Sequence, residues 1–321
     1  MVRRSRYRLA AATALLLALL LARCAVAPAP QATDGQSIEV CGQPFPVGTR
    51  VVSWREPGGY DAYRTAKFFT PEPEPDGRRR YAVRGNLPEA IAARAREHGL
   101  SLADLQQVVH QFVIHYDVAG TSRQCFKILQ DVRYLSVHFL LDVDGTIYQT
   151  LDLREKGQHA TIANDFSVGV EIAHPGVFKQ PLSADMRRWY EQDEDGWRMR
   201  LPAWMTETGV RTPDFVARPD RPDFVSGEVQ GVLYHQFDFT SEQYAALARL
   251  CAALASVFPR IRLEVPRDAD GSVVNHVLPE AELRAFDGIV GHFHVQLNKQ
   301  DPGPAFQWDR LLHEARALRG Q

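Results

Sequence analysis

The chain has 321 residues, with 37 Lys and Arg against 39 Asp and Glu, four Cys and 45% hydrophobic residues. This balance excludes a small disulfide scaffold, a disordered polymer and a multi-pass membrane protein. A formal net charge of −2 also excludes a strongly basic nucleic-acid binder, so no nucleic-acid partner is expected.

Charge is unevenly spread. Residues 1–30 hold five Arg and no acid, which leaves 32 bases against 39 acids and a net of −7 in the remainder. Arg3 to Arg8 form a basic start, and Leu9 to Ala22 is an uncharged, largely apolar stretch. That stretch is shorter than the roughly 20 residues of a membrane-spanning helix but fits an export signal, which is the expectation for 1–30. Leu21-Ala22-Arg23-Cys24 resembles a lipobox, although Arg23 stands where a small residue is usual. Ala25-Val26-Ala27 fits the small-x-small cleavage rule. Lipidation and membrane anchoring through Cys24, or plain cleavage, both remain open.

Residues 31–107 read as an N-terminal extension. Pro71-Glu72-Pro73-Glu74-Pro75-Asp76-Gly77 followed by Arg78-Arg79-Arg80 has the composition of a solvated linker or exposed loop. Asn86-Leu87-Pro88-Glu89 predicts a capped helix to about His98, and Ser101 starts another. Val108 to Tyr116 is apolar and strand-like. Thr121-Ser122-Arg123-Gln124 predicts a capping box and a helix to about Tyr134. Val137, Phe139 and Leu141 alternate, and Asp144-Gly145 predicts a hairpin turn before Thr146–Leu151. Ser167 to Ala173 is a further strand. Thr240-Ser241-Glu242-Gln243 caps a helix with apolar residues at helical spacing, among them Leu247, Cys251 and Leu254. A strand near Ile289–His292 and a helix from about Gln307 close the chain. Strands interleaved with helices predict an α/β domain over 108–318, with a mixed central sheet flanked by helices. Between about 175 and 239 both periodicities fade, which predicts a long insertion holding Trp189, Trp197 and Trp204. After the leader, Cys41, Cys125 and Cys251 permit one disulfide in three pairings, with Cys251 reading as a buried thiol.

Three residues at strand ends and in one rigid loop carry the chemistry. His115 ends Val113-Ile114-His115. His292 follows Gly291. Asp301 begins Asp301-Pro302-Gly303-Pro304, where proline fixes the backbone. Two imidazoles and a carboxylate suit Zn2+ with an open position for water. His294 lies two residues beyond His292 and competes with it as a ligand.

The order of these motifs is similar to that of the zinc-dependent N-acetylmuramoyl-L-alanine amidases, which share a fold with phage T7 lysozyme and the peptidoglycan recognition proteins. Phe112-Val113-Ile114-His115, Ser136-Val137-His138-Phe139-Leu140, Asn164 through Ile172, Gly291-His292 and Asn298-Lys299-Gln300-Asp301-Pro302-Gly303-Pro304-Ala305-Phe306 carry the resemblance. It covers 108–318, interrupted by the insertion. It implies zinc ligands His115, His292 and Asp301. It further implies Glu171 as proton shuttle, Lys299 as oxyanion stabiliser and His159 as a cleft residue. Val137 stands where some relatives carry a catalytic Tyr, which leaves the proton role to Glu171; His138 reads as a structural strand histidine. The resemblance implies cleavage of the amide between N-acetylmuramic acid and L-alanine in peptidoglycan or muropeptides. The leader predicts export to the bacterial periplasm or cell envelope, as a lipoprotein if Cys24 is modified, or secretion, and a monomer is expected. Two alternatives stand beside the amidase reading: a non-catalytic peptidoglycan-binding protein of the same fold, and a His-x-His zinc peptidase acting on stem peptides.

Overall fold

The computed structural model describes residues 35–70 and 75–320. The leader, Cys24 and Pro71–Glu74 lie outside them. At the start, β1 (Ser37–Val40) and β2 (Gln43–Pro46) form an antiparallel hairpin, and β3 (Val51–Ser53) follows. Then β4 (Tyr81–Ala82) precedes helices Glu89–His98 and Leu102–Val108. Next come β5 (Gln111–Tyr116), a helix over Ser122–Lys127 that runs on as a π-helix over Ile128–Arg133, β6 (Phe139–Leu141), β7 (Ile147–Gln149), β8 (Lys156–Gly157) and β9 (Ser167–Ile172). The inserted stretch holds helix Ala184–Trp189 and two hairpins, β10 (Tyr190–Asp193) with β11 (Gly196–Met199) and β12 (Val225–Val229) with β13 (Val232–Gln236). Helix Ser241–Val257, helix Glu280–Ala285, β14 (Gly288–Gly291), the short helix His292–Val295 and helix Trp308–Leu318 complete the order.

The central sheet has six strands in the order β14-β5-β9-β6-β7-β3. It is mixed: β14, β5, β9 and β6 run parallel, β7 pairs antiparallel with β6, and β3 runs parallel to β7. Residues one apart in a strand face opposite ways. Phe112, Ile114, Phe139, Leu141, Val168 and Val170 therefore share one core with the apolar face of helix Ser241–Val257. Leu140 and Tyr148 point to the other face, where Cys125, Phe126 and Leu129 cover them. His115 and Glu171 occupy the alternate positions in β5 and β9, and the register sets them side by side.

The capping signals formed in part: Thr121 accepts from the Gln124 amide without the reciprocal bond of a capping box. Ser101 and Asp104 make a reciprocal capping box, as do Thr240 and Gln243. Four expectations are corrected. Val108 ends a helix instead of starting a strand, because the Ser101 cap launches the helix and β5 begins at Gln111. Helix Glu89–His98 starts at Pro88 without a side-chain cap; Asn86 instead donates from Nδ2 to Asp165 at 2.6 Å. Arg80 is buried, ion-paired to Asp76 at 2.8 Å and donating to the Gln130 carbonyl at 3.2 Å, so this part of the charged run is packed and not solvated. The 31–107 stretch, read as an extension ahead of the domain, supplies strand β3 to the sheet, and Ile38, Val40, Val47 and Val51 enter the main core. Cys41, Cys125 and Cys251 are free thiols, so none of the three possible bridges among them forms. Cys251 is buried in the main core, as read. Among the described residues no helix is long and apolar enough to cross a membrane.

Candidate active site

At the carboxyl ends of β5 and β14 three side chains converge. His115 is the next-to-last residue of β5, His292 is the first residue after β14, and Asp301 stands in the loop that follows the short helix His292–Val295. His115 Nδ1 lies 2.8 Å from His292 Nδ1 and 3.0 Å from Asp301 Oδ2, and His292 Nδ1 lies 2.8 Å from the same oxygen. All three residues are buried, and they form a group able to hold a metal ion. The second nitrogen of each ring is held from behind: His115 Nε2 by His159 Nδ1 at 3.0 Å, and His292 Nε2 by Gln296 Oε1 at 2.8 Å. Because Gln296 Oε1 only accepts, this contact places a proton on His292 Nε2 and turns Nδ1 toward the cluster. That is how protein sites orient metal-binding imidazoles. Burial, with the neighbouring His292, depresses the His115 pKa to about 4, which keeps the ring neutral. Burial alone would raise Asp301, but the imidazoles of His292 and His115 overcome it and hold the carboxyl below its usual range. Two imidazoles and one carboxylate are a donor set zinc accepts, so these residues fit it.

His294 does not share the site. Its Nδ1 accepts from the Gly291 amide at 2.9 Å and its Nε2 donates to the Val274 carbonyl at 2.7 Å. Both nitrogens are committed to backbone, so His294 turns neither toward the cluster. His138 is likewise structural, between the Gly169 amide at 3.2 Å and the Glu155 carbonyl at 3.0 Å.

The cluster opens into a cavity of about 220 Å³. Glu171, Lys299, His159 and Arg133 all line it. Glu171 Oε2 is buried without a hydrogen-bond partner among the described residues. Burial, reinforced by Asp301 and Asp117, pushes its pKa well above the usual carboxylate value. Lys299 and Asp301 reach the same cavity. Gly169 lies under the His159 ring; a Cβ there would come within 2.5 Å of it. Burial, with His115 beside it, lowers the His159 pKa well below its usual value. Trp189 and Trp197 pack in a local core of the insertion, whereas Trp204 is exposed.

Four contributors escaped the sequence reading. Gln296 was detectable, since i and i+4 meet on a helical turn and His292 stands four residues before it. Arg133, Asp117 and Gln158 carried no local signal, because only the tertiary fold brings them to the cavity.

Comparison with known proteins agrees with this geometry. The sequence pattern of the family described as N-acetylmuramoyl-L-alanine amidase matches residues 105–304, well over half of the chain. No curated protein matches it in sequence. Among solved structures the chain is similar to a selenomethionine derivative of AmpD (16% identity, 81% of this chain and 97% of that one, TM-score 0.34). It is similar also to the N-acetylmuramyl-L-alanine amidase AmiD from E. coli in complex with a substrate (18%, 64% and 57%, TM-score 0.37). A third is the Ph2119 endolysin from Thermus scotoductus MAT2119 bacteriophage (14%, 83% and 99%, TM-score 0.36). None of these structural likenesses is strong enough to assign a function; the family match carries that weight.

Proposed function

The chain belongs to the N-acetylmuramoyl-L-alanine amidase family, and from that premise we propose a zinc-dependent hydrolase that uses His115, His292 and Asp301 as ligands and Glu171 and Lys299 as catalytic groups. Its reaction is hydrolysis of the amide between N-acetylmuramic acid and L-alanine. The observation that carries the site assignment is the convergence of His115, His292 and Asp301 beside an unpartnered Glu171. A zinc ion held there supplies Lewis acidity toward an amide carbonyl and lowers the pKa of a water molecule. Glu171, with its raised proton affinity, takes a proton from the attacking water and returns it to the departing nitrogen of L-alanine. Lys299 places positive charge where the carbonyl oxygen becomes negative. His159 holds His115 in position at one wall of the cleft. Arg133 adds a second cation to the cavity, suited to the carboxylates of a stem peptide, in a body that is acidic as a whole.

Mass spectrometry of muropeptide digests, with metal analysis, tests this reading. The expected products are the free muramyl sugar and an intact peptide beginning with L-alanine. A cut within the stem would indicate a peptidase, and no cut a binding protein. Asp301→Ala is expected to lose zinc and activity together. Glu171→Gln is expected to keep zinc and lose about 10²–10⁴-fold in rate; wild-type activity in that variant would overturn the role of Glu171.

We also infer export to the cell envelope, on the composition of residues 1–30. The mass of the protein isolated from the envelope tests it. Loss of the leader supports export, a mass increase consistent with lipid on Cys24 adds anchoring, and an uncleaved cytoplasmic product overturns it.

A further inference from the structure

The insertion ends in the hairpin β12–β13, which lies against the loop carrying Lys299 and Asp301. Its grip is on backbone. Gln230, at the hairpin tip with φ +56°, donates from Nε2 to the carbonyls of Phe293 at 2.8 Å, Gln296 at 3.2 Å and Lys299 at 3.4 Å. Its Oε1 accepts from the Val277 amide at 3.0 Å, and its own amide donates to the Asn275 carbonyl at 2.9 Å. At the other end of the hairpin, the fully buried Gln236 donates from Nε2 to the Pro302 carbonyl at 2.9 Å and accepts at Oε1 from the Ala305 amide at 2.9 Å. The two glutamines thus hold the loop on both sides of Lys299 and Asp301.

The approach is close enough to exclude other side chains. A Cβ on Gly303 would come within 2.2 Å of Gln236 Oε1, and one on Gly227 within 2.8 Å of Pro304 Cβ. The hairpin is itself fixed, since Val229 and Tyr234 enter the main core. Between Gln296 and Gln307 the loop has no helix or strand. A buried carbonyl without a partner is costly, so the insertion supplies what regular structure would have supplied.

We propose that β12–β13 is the positioning element of this loop, with Gln230 and Gln236 setting where Lys299 and Asp301 stand. The insertion is then part of the catalytic apparatus, although among the described residues none of its side chains lines the cleft. The proposal rests on the amidase reading for what the loop carries, and on geometry alone for how the loop is held.

The test uses the full chain. Gln230→Asn suits a left-handed turn residue but is one methylene too short to reach the three carbonyls. Gln236→Met keeps the volume and removes both hydrogen bonds. Leu233→Ser, at an exposed hairpin position, is the control. In metal-free protein, hydrogen exchange of the amides over 296–301 is expected to speed up about tenfold or more in both glutamine variants, with β5 and β9 unchanged. Zinc affinity by chelator competition is expected to weaken about 10–100-fold, and kcat to fall with KM nearly constant. Wild-type exchange and affinity in Gln230→Asn would overturn the proposal, as would exchange that rises equally in β5 and β9. Exchange confined to the loop supports the brace even if the wild-type protein takes up no zinc, a result that would instead sink the amidase reading.

Discussion

A carboxyl group taken out of water keeps its proton unless a partner stabilises the charge. Asp142 accepts from the Val143 amide at 2.9 Å, but its Oδ2 is buried without a partner among the described residues, and burial raises its pKa to about 8. The folded protein therefore binds a proton here that the unfolded chain releases near pH 4. Between those values the folded state holds more protons, so this group's contribution makes stability fall as pH rises through the window. Asp142→Asn removes the contribution. The melting temperature of the variant minus that of wild type is expected to grow more positive from pH 5 to pH 9, and a pH-independent difference would contradict it. Glu171 follows the same physics in the wall of the cavity. Its raised proton affinity was legible in the sequence, because a glutamate closing an apolar strand loses water. Asp142 was not, since its burial comes from the covering helix at Ser122–Lys127 and not from its own neighbours in the chain.

Elements decide what identical side chains do. His292 and His294 sit on one short helix, both buried, yet one faces Asp301 and the other returns to the Gly291 amide at the helix start. His292→Gln is expected to abolish stoichiometric zinc. His294→Gln should keep zinc while lowering stability by about 1–3 kcal/mol, the cost of orphaning buried polar groups. Metal analysis beside thermal unfolding separates the two. Helices with reciprocal caps at Ser101 and Thr240 could be read from sequence because their signals lie within four residues. The three-residue strand β3 could not, since its partner β7 lies far along the chain and supplies the hydrogen bonds that define it. The hairpin β12–β13 was equally hidden, its glutamines acquiring a role only against a loop that follows much later.

At the scale of the molecule, the stretch before residue 105 belongs to the fold that the family pattern only partly covers. It brings the edge strand β3, the buried aliphatic side chains Ile38, Val40, Val47, Val51, Ile91 and Leu100 of the main core, and the buried Arg84. Arg84 donates to the carbonyls of Ser167 at 2.9 Å and Leu153 at 2.9 Å. Each fully buried aliphatic side chain contributes about 1.5–3 kcal/mol, which together rivals the net stability of a domain. A protein comprising 105–321 is expected to show no cooperative unfolding transition, whereas one comprising 35–321 should unfold in a single step by calorimetry. Cooperative unfolding of the shorter protein would show that the extension is dispensable.

The strand order has a consequence in time. The sheet's two edges are β3, its earliest strand in the chain, and β14, its latest. A chain synthesised from its N-terminus holds β3 ready well before β7 emerges to receive it, and displays His115 long before His292 and Asp301 exist. One imidazole grips zinc weakly, so an incomplete polypeptide stays metal-free however long it waits. If the proposed site takes zinc, the ion has its full set of ligands only after the last strand has docked and Asp301 has followed it.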